Sequence, residues 1–238
     1  MQAGAASIRA VIIDLDGTML DTMPDFEAAL NGMRAELGLA PISQAIIKPL
    51  VGKGSEKLVR DALLLDWDAA RVDAAYEAAM AGYQRHYLTI NGDRSTLYDG
   101  VLDGLAAMQA LGLRLVCVTN KPVAFAVPLL AQKGLAPYFE HVFGGDSFAR
   151  KKPDAMPMLG ACAALDVPPS QVVAIGDSSN DAESARAAGC FVLTVPYGYN
   201  HGRPVQEIQS DGIVDSLLDA ARRIGAHNAS AGLTNQPV

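Results

Sequence analysis

The sequence predicts a doubly wound α/β fold, with a mainly parallel sheet and a small α-helical domain inserted after the first strand. Three observations predict it. Short apolar runs recur along the chain, and each stops at a polar or turn-forming residue. Segments with helical spacing separate these runs. One long segment, residues 22–96, has helical spacing throughout and no convincing buried strand.

Ala10-Val11-Ile12-Ile13 is a continuous apolar run stopped by Asp14, the pattern of a strand buried on both faces. The run 113–118 ends at Thr119-Asn120, the run 172–175 at Gly176-Asp177, and the run 191–195 at Pro196. His141-Val142-Phe143, before Gly144-Gly145, is a weaker strand candidate. Between them, residues 102–111, 124–132, 156–165 and 181–188 repeat apolar positions at helical spacing. Three of the four stop at or just before Gly112, Gly134 and Gly189, natural C-caps. Strand–helix alternation of this kind gives a Rossmann-like parallel sheet, whose ligands bind at the carboxyl ends of the strands.

Within the insertion, residues 25–37, 54–65 and 68–87 read as amphipathic helices. Leu97-Tyr98-Asp99-Gly100 reads as the return hinge. The expected organisation is a catalytic core of residues 1–21 and 97–224, a helical cap of residues 22–96, and a disordered Ala-, Asn- and Gly-rich tail over 225–238.

Half of the 238 residues are apolar and 19% are charged, which suits a large packed core rather than disorder. The net charge of −7 repels nucleic acid and anionic membranes, so neither is an expected partner. A phosphate-bearing ligand must then be held by local groups. Cys117, Cys162 and Cys190 sit among apolar neighbours without metal-ligand spacing and read as reduced, buried thiols. Residues 1–10 carry no long apolar core, and no stretch approaches a membrane span; the expected location is the cytoplasm.

The strongest chemical signal is Asp14-Leu15-Asp16-Gly17-Thr18 at the end of the first strand. Two carboxylates two residues apart on an extended chain point the same way. Gly176-Asp177-Ser178-Ser179-Asn180-Asp181 brings more carboxylates to the same sheet edge. Crowded carboxylates raise one another's pKa unless a cation intervenes. Oxygen ligands without histidine or thiolate suit Mg²⁺. Thr119 adds a hydroxyl and Lys152 a fixed positive charge. A carboxylate nucleophile, a divalent cation, a hydroxyl and a lysine together compose a phosphoryl-transfer site. His86, His141, His201 and His227 lack ligand-like spacing and read as structural or surface residues.

These four segments, Asp14 to Thr18, Thr119-Asn120, Lys152-Pro153 and Gly176 to Asp181, resemble the ordered motifs of the haloacid dehalogenase superfamily. The resemblance runs from Arg9 to about Ala221, and the helical insertion is similar to that family's α-helical cap. Within the superfamily the chain looks like the phosphoglycolate phosphatases, on Gly144-Gly145-Asp146 with Lys151-Lys152-Pro153, Ala187-Ala188-Gly189-Cys190 and Tyr197-Gly198-Tyr199-Asn200.

The resemblance implies a Mg²⁺-dependent phosphomonoester hydrolase acting through an aspartyl-phosphate, with 2-phosphoglycolate as substrate. Asp14 is then the nucleophile and Asp16 the general acid and base. Asp14, the Asp16 carbonyl and Asp177 hold the metal, with Asp181 in support. Thr119, the Asn120 amide and Lys152 cradle the phosphoryl group, with Lys151 the adjacent alternative to Lys152. Lys53, between Gly52 and Gly54 ahead of a helix, is a candidate for the substrate's carboxylate. The expected partner is a small phosphorylated metabolite, and the expected state a monomer or weak homodimer. A phosphatase or mutase for another small metabolite, such as a sugar phosphate, shares Asp14 and Asp16. A non-catalytic ligand-sensing module on the same fold is the alternative of another class.

Overall fold

The computed structural model describes residues 6–234. The first strand, β1 (Ala10–Ile13), leads into a short strand, β2 (Leu20–Asp21). Four helices follow: α1 (Met23–Glu36), α2 (Gln44–Ile47), α3 (Ser55–Leu64) and α4 (Ala69–Ile90). The chain returns through β3 (Thr96–Leu97) and α5 (Val101–Ala110) to β4 (Arg114–Val118). Next come α6 (Val123–Gln132), β5 (His141–Phe143) and α7 (Met156–Ala164). The rest is β6 (Val172–Gly176), α8 (Ser179–Ala188), β7 (Phe191–Thr194), β8 (Gly212–Ile213) and α9 (Leu217–Thr234).

Six strands form one parallel sheet in the order β5-β4-β1-β6-β7-β8. The apolar runs are continuous because the sheet is covered on both sides. Val11 and Ile13 point into one apolar cluster, with Leu115, Cys117, Val173 and Ile175. Ala10 and Ile12 point into the opposite one, with Val116, Val118, Val172 and Ala174. This period of two is what a pleated strand imposes.

Register fixes the functional edge. Ile13 lies opposite Cys117 on one side and Ile175 on the other. Asp14, Thr119 and Asp177 therefore emerge together just beyond the ends of the three central strands. β1 is also where the strand order reverses, the place where parallel sheets open a crevice.

The helices between β2 and β3 share their own apolar cluster, including Phe26, Leu30, Met33, Ile47, Leu58, Leu63, Tyr83 and Tyr87. Phe125 and Tyr199, from elsewhere in the chain, join it. β2 and β3 pair antiparallel, Leu20 with Leu97 and Asp21 with Thr96, so the insertion leaves and returns side by side. Just beyond, the buried Asp25 carboxylate accepts from Gly92 N and Arg94 N, each at 2.9 Å, and from the Ser95 hydroxyl.

The C-terminal segment departs from the sequence reading. The tail expected to be disordered from residue 225 instead continues α9 to Thr234. Leu217, Ala220, Ala221 and Ile224 are buried in the cluster that covers one sheet face. Asn228 then clasps Ile8: its Oδ1 accepts from Ile8 N at 2.7 Å and its Nδ2 donates to Ile8 O at 2.9 Å. Alanine's high helix propensity and this docking outweigh the glycines and asparagine that suggested disorder. The last four residues of that tail expectation, 235–238, lie outside the described residues. Among the described residues, no helix is long and apolar enough to cross a membrane.

Candidate active site

Asp14 leaves β1 into a tight turn. Gly17 adopts φ 84°, and a Cβ there would stand 2.5 Å from Asp177 Oδ2, so a side chain is excluded on both counts. The turn aligns Thr18, whose hydroxyl donates to Asp177 Oδ1 at 3.2 Å. Asp177 Oδ2 accepts from the backbone N–H groups of Tyr199 at 2.6 Å and Asn200 at 3.4 Å. Asp181 sits in a capping box at the start of α8, its Oδ2 accepting from Ser178 N at 3.2 Å and Ser178 Oγ at 2.7 Å.

Lys152 joins these carboxylates. Its Nζ donates to Asp14 Oδ1 at 2.8 Å, Asp181 Oδ1 at 2.6 Å and Val118 O at 2.8 Å. Burial opposes its charge, but Asp14 and Asp181 outweigh that, and its pKa is raised. Burial lifts the Asp14 pKa well above the usual carboxylate range against the pull of Lys152, and Asp181 and Asp177 add to the rise. Asp177 is pushed up to about 7, by burial first and Asp181 second.

Asp14, Asp177 and Asp181 place ligand oxygens within 4.8 Å of one another. Three crowded, buried carboxylates, two of them (Asp14 and Asp177) with raised pKa values, and oxygen donors alone, fit a hard divalent cation. The Asp16 carboxylate is not in this cluster; it turns to Lys121, whose Nζ donates to Asp16 Oδ1 at 2.8 Å and Oδ2 at 3.1 Å.

The pocket above the strand ends brings together Asp14, Asp16, Thr119, Asn120, Lys152, Asp177 and Asp181. The Thr119 hydroxyl accepts from Lys121 N at 3.2 Å. The Asn120 side-chain amide is committed elsewhere, donating to Gly52 O and Lys152 O, each at 2.9 Å. Lys151 is the outer of the two lysines and pairs with Glu56 at 2.7 Å, which leaves Lys152 alone at the carboxylates. Lys53 is exposed and lines an adjoining groove with Lys151, His201 and Arg203, which shares Lys152 and Asn180 with the pocket.

Lys121 escaped the sequence reading, which grouped Thr119 with Asn120 and stopped there. Its signal was adjacency alone. Two partners from the insertion escaped it as well. Ser55, the first residue of α3, lines the pocket with a buried hydroxyl that has no hydrogen-bond partner among the described residues. Gly52 O, beside it, accepts from both Asn120 and Asn180 at 2.9 Å.

Over residues 8–189 the chain matches the haloacid dehalogenase-like hydrolase family. The chain belongs to that family. It is similar to the phosphoglycolate phosphatase of Thiobacillus denitrificans, 46% identical over 93% of this chain and 97% of that one. It is likewise similar to the phosphoglycolate phosphatase of Nitrosospira multiformis, 48% identical over 91% of this chain and 96% of that one. Among solved structures it resembles one described as a predicted phosphoglycolate phosphatase from Haemophilus somnus, with TM-score 0.85 and 28% identity, covering 92% of this chain and 98% of that one. The carboxylates at the ends of β1 and β6 stand together in one pocket, beside a fixed lysine.

Proposed function

We propose that this hydrolase is a Mg²⁺-dependent phosphomonoesterase that acts through an aspartyl-phosphate on Asp14, with 2-phosphoglycolate as its substrate. The observation that carries the reading is the Asp14–Lys152–Asp181 contact at 2.8 and 2.6 Å, with Asp177 completing a cation-sized carboxylate cluster. Relatives named phosphoglycolate phosphatase, matched nearly end to end, support the substrate.

Asp14, Asp177 and Asp181 would hold the metal, with the Asp16 carbonyl as a further ligand. The bound cation supplies charge to offset the phosphate oxygens and the crowded carboxylates. The Asp14 carboxylate attacks phosphorus, and the bond from phosphorus to the ester oxygen breaks. Asp16 gives its proton to the leaving alkoxide, a poor leaving group without one. Asp16 then takes a proton from water as that water attacks the acyl phosphate, releasing inorganic phosphate and restoring Asp14. Thr119 donates to the phosphoryl oxygens, and Lys152, held against Asp14, brings its positive charge to the same side. Residues 22–96 act as a cap over this chemistry, their α3 end forming one wall of the pocket and keeping bulk water out.

Phosphate release from 2-phosphoglycolate, with and without chelator, tests the activity. Intact mass after a rapid quench tests the intermediate. Asp14→Asn turning over at even a tenth of the wild-type rate would sink the covalent route.

A further inference from the structure

Two cationic side chains, Lys152 and Lys121, line the pocket among the described residues. They are not equivalent. Lys152 spends all three of its N–H donors on Asp14, Asp181 and Val118 O. Lys121 is equally buried, its side chain 3% exposed, yet Asp16 is its one hydrogen-bonding acceptor among the described residues. The ring centroids of Phe26 and Tyr87 lie 4.6 and 4.9 Å from its Nζ. Ring faces steady an ammonium but are weaker partners than an anionic oxygen. A buried ammonium so placed retains capacity for a second carboxylate.

The chemistry says which carboxylate comes within reach. Asp16 can protonate the leaving oxygen only from hydrogen-bond distance. In a two-carbon ester, the carboxylate is joined to that oxygen through a single carbon, so its oxygens lie roughly 3–4 Å from the leaving oxygen. Lys121 Nζ is 2.8 Å from the same Asp16 carboxylate. A substrate seated for protonation can therefore place its carboxylate within reach of Lys121.

We propose that Lys121 is the specificity residue of this pocket, receiving the carboxylate that flanks the leaving oxygen. This rests on the phosphoglycolate reading above. It moves the specificity role away from Lys53, which is exposed on the neighbouring groove.

The test compares 2-phosphoglycolate with ethyl phosphate, an ester of similar size without the carboxylate. Wild-type enzyme is expected to favour phosphoglycolate in kcat/KM. Lys121→Met is expected to lower kcat/KM for phosphoglycolate about 10–100-fold more than for ethyl phosphate. Lys121→Arg is expected to recover part of the preference, and Lys53→Ala to leave it intact. Binding provides a readout independent of turnover. In an Asp14→Asn background with Mg²⁺, calorimetry is expected to show Lys121→Met weakening phosphoglycolate and sparing ethyl phosphate. If Lys121→Met does not fold, Lys121→Gln carries the same comparison. Equal losses on both esters would confine Lys121 to holding Asp16 and overturn the proposal, with the substrate reading left standing. A wild-type enzyme indifferent to the carboxylate would remove the substrate reading and the Lys121 role together.

Discussion

The side-chain amide of Asn120 donates to the carbonyl of Gly52 at 2.9 Å, joining two residues 68 apart in the chain. One comes from the carboxyl edge of the sheet and the other from the helical insertion. Asn180 donates to the same carbonyl at 2.9 Å, from the first turn of α8. The loop that forms the pocket wall is thus latched to two strand-end segments through a single oxygen.

Asn180 tests the latch without touching the reacting groups. Losing one such hydrogen bond costs about 0.5–1.5 kcal/mol. Asn180→Ala is expected to raise KM a few-fold and change kcat less. Amide hydrogen exchange over residues 51–56 should quicken. Unchanged exchange in that loop would show that the latch does not hold it.

Lys152→Ala is expected to cost about 2–4 kcal/mol of transition-state stabilisation, read as a loss in kcat/KM. Lys151→Ala should cost far less, because Lys151 pairs with exposed Glu56. The reverse ranking would place the phosphate-binding lysine one residue earlier.

Metal-free protein should weaken as pH rises. The Asp177 pKa is pushed up to about 7 in the folded state, against about 3.9 when unfolded. A folded pKa above the unfolded one gives stability that is fully present below about pH 4 and lost as pH rises through 7. In chelator, the melting temperature is expected to fall between pH 5 and pH 8, and Mg²⁺ should restore it at the upper end. A pH 8 melting temperature indifferent to Mg²⁺ would argue against the carboxylate site.

Ser55 separates ligand binding from stability. Its hydroxyl is buried, lines the pocket and lacks a partner among the described residues, an arrangement that itself costs free energy. Ser55→Ala is expected to leave the melting temperature unchanged or slightly higher, while raising KM for phosphoglycolate two- to tenfold, about 0.5–1.4 kcal/mol of binding. A clear drop in melting temperature with KM unaltered would make Ser55 a structural residue.

The central sheet was legible in the sequence because its strands are buried on both faces and so stay apolar without a break. Asp14, Thr119 and Asp177 were legible because each ends such a run. β8, only two residues long, carries too little pattern to be read. Lys121 was hidden because its role depends on Phe26 and Tyr87, which come from distant helices of the insertion. Lys53 reads as an anion site from local pattern alone. Local glycines and a helix start suggest an anion site, but only the packing of the loop decides which side of it faces the pocket. The extent of α9 depended on Asn228 reaching Ile8, 220 residues away, and nothing local announces that contact.

The β2–β3 ladder constrains how the helical layer can move. Leu20 and Leu97 are neighbours across one rung, and Asp25 clasps residues 92–95 just beyond it. The two crossing strands are therefore coupled on both sides of the joint, and neither can lengthen or shift without the other. Translation along the sheet edge would break both clasps at once, whereas swinging about the short spans between them breaks neither. The two clasps therefore favour rotation about the joint over sliding along it. The Tyr199 hydroxyl rests on that joint, accepting from Thr22 N at 2.7 Å and donating to Asp21 Oδ1 at 3.0 Å, while the same residue's backbone N–H holds Asp177. The joint of the helical layer and the seating of the Asp177 carboxylate are thus tied to opposite ends of one residue.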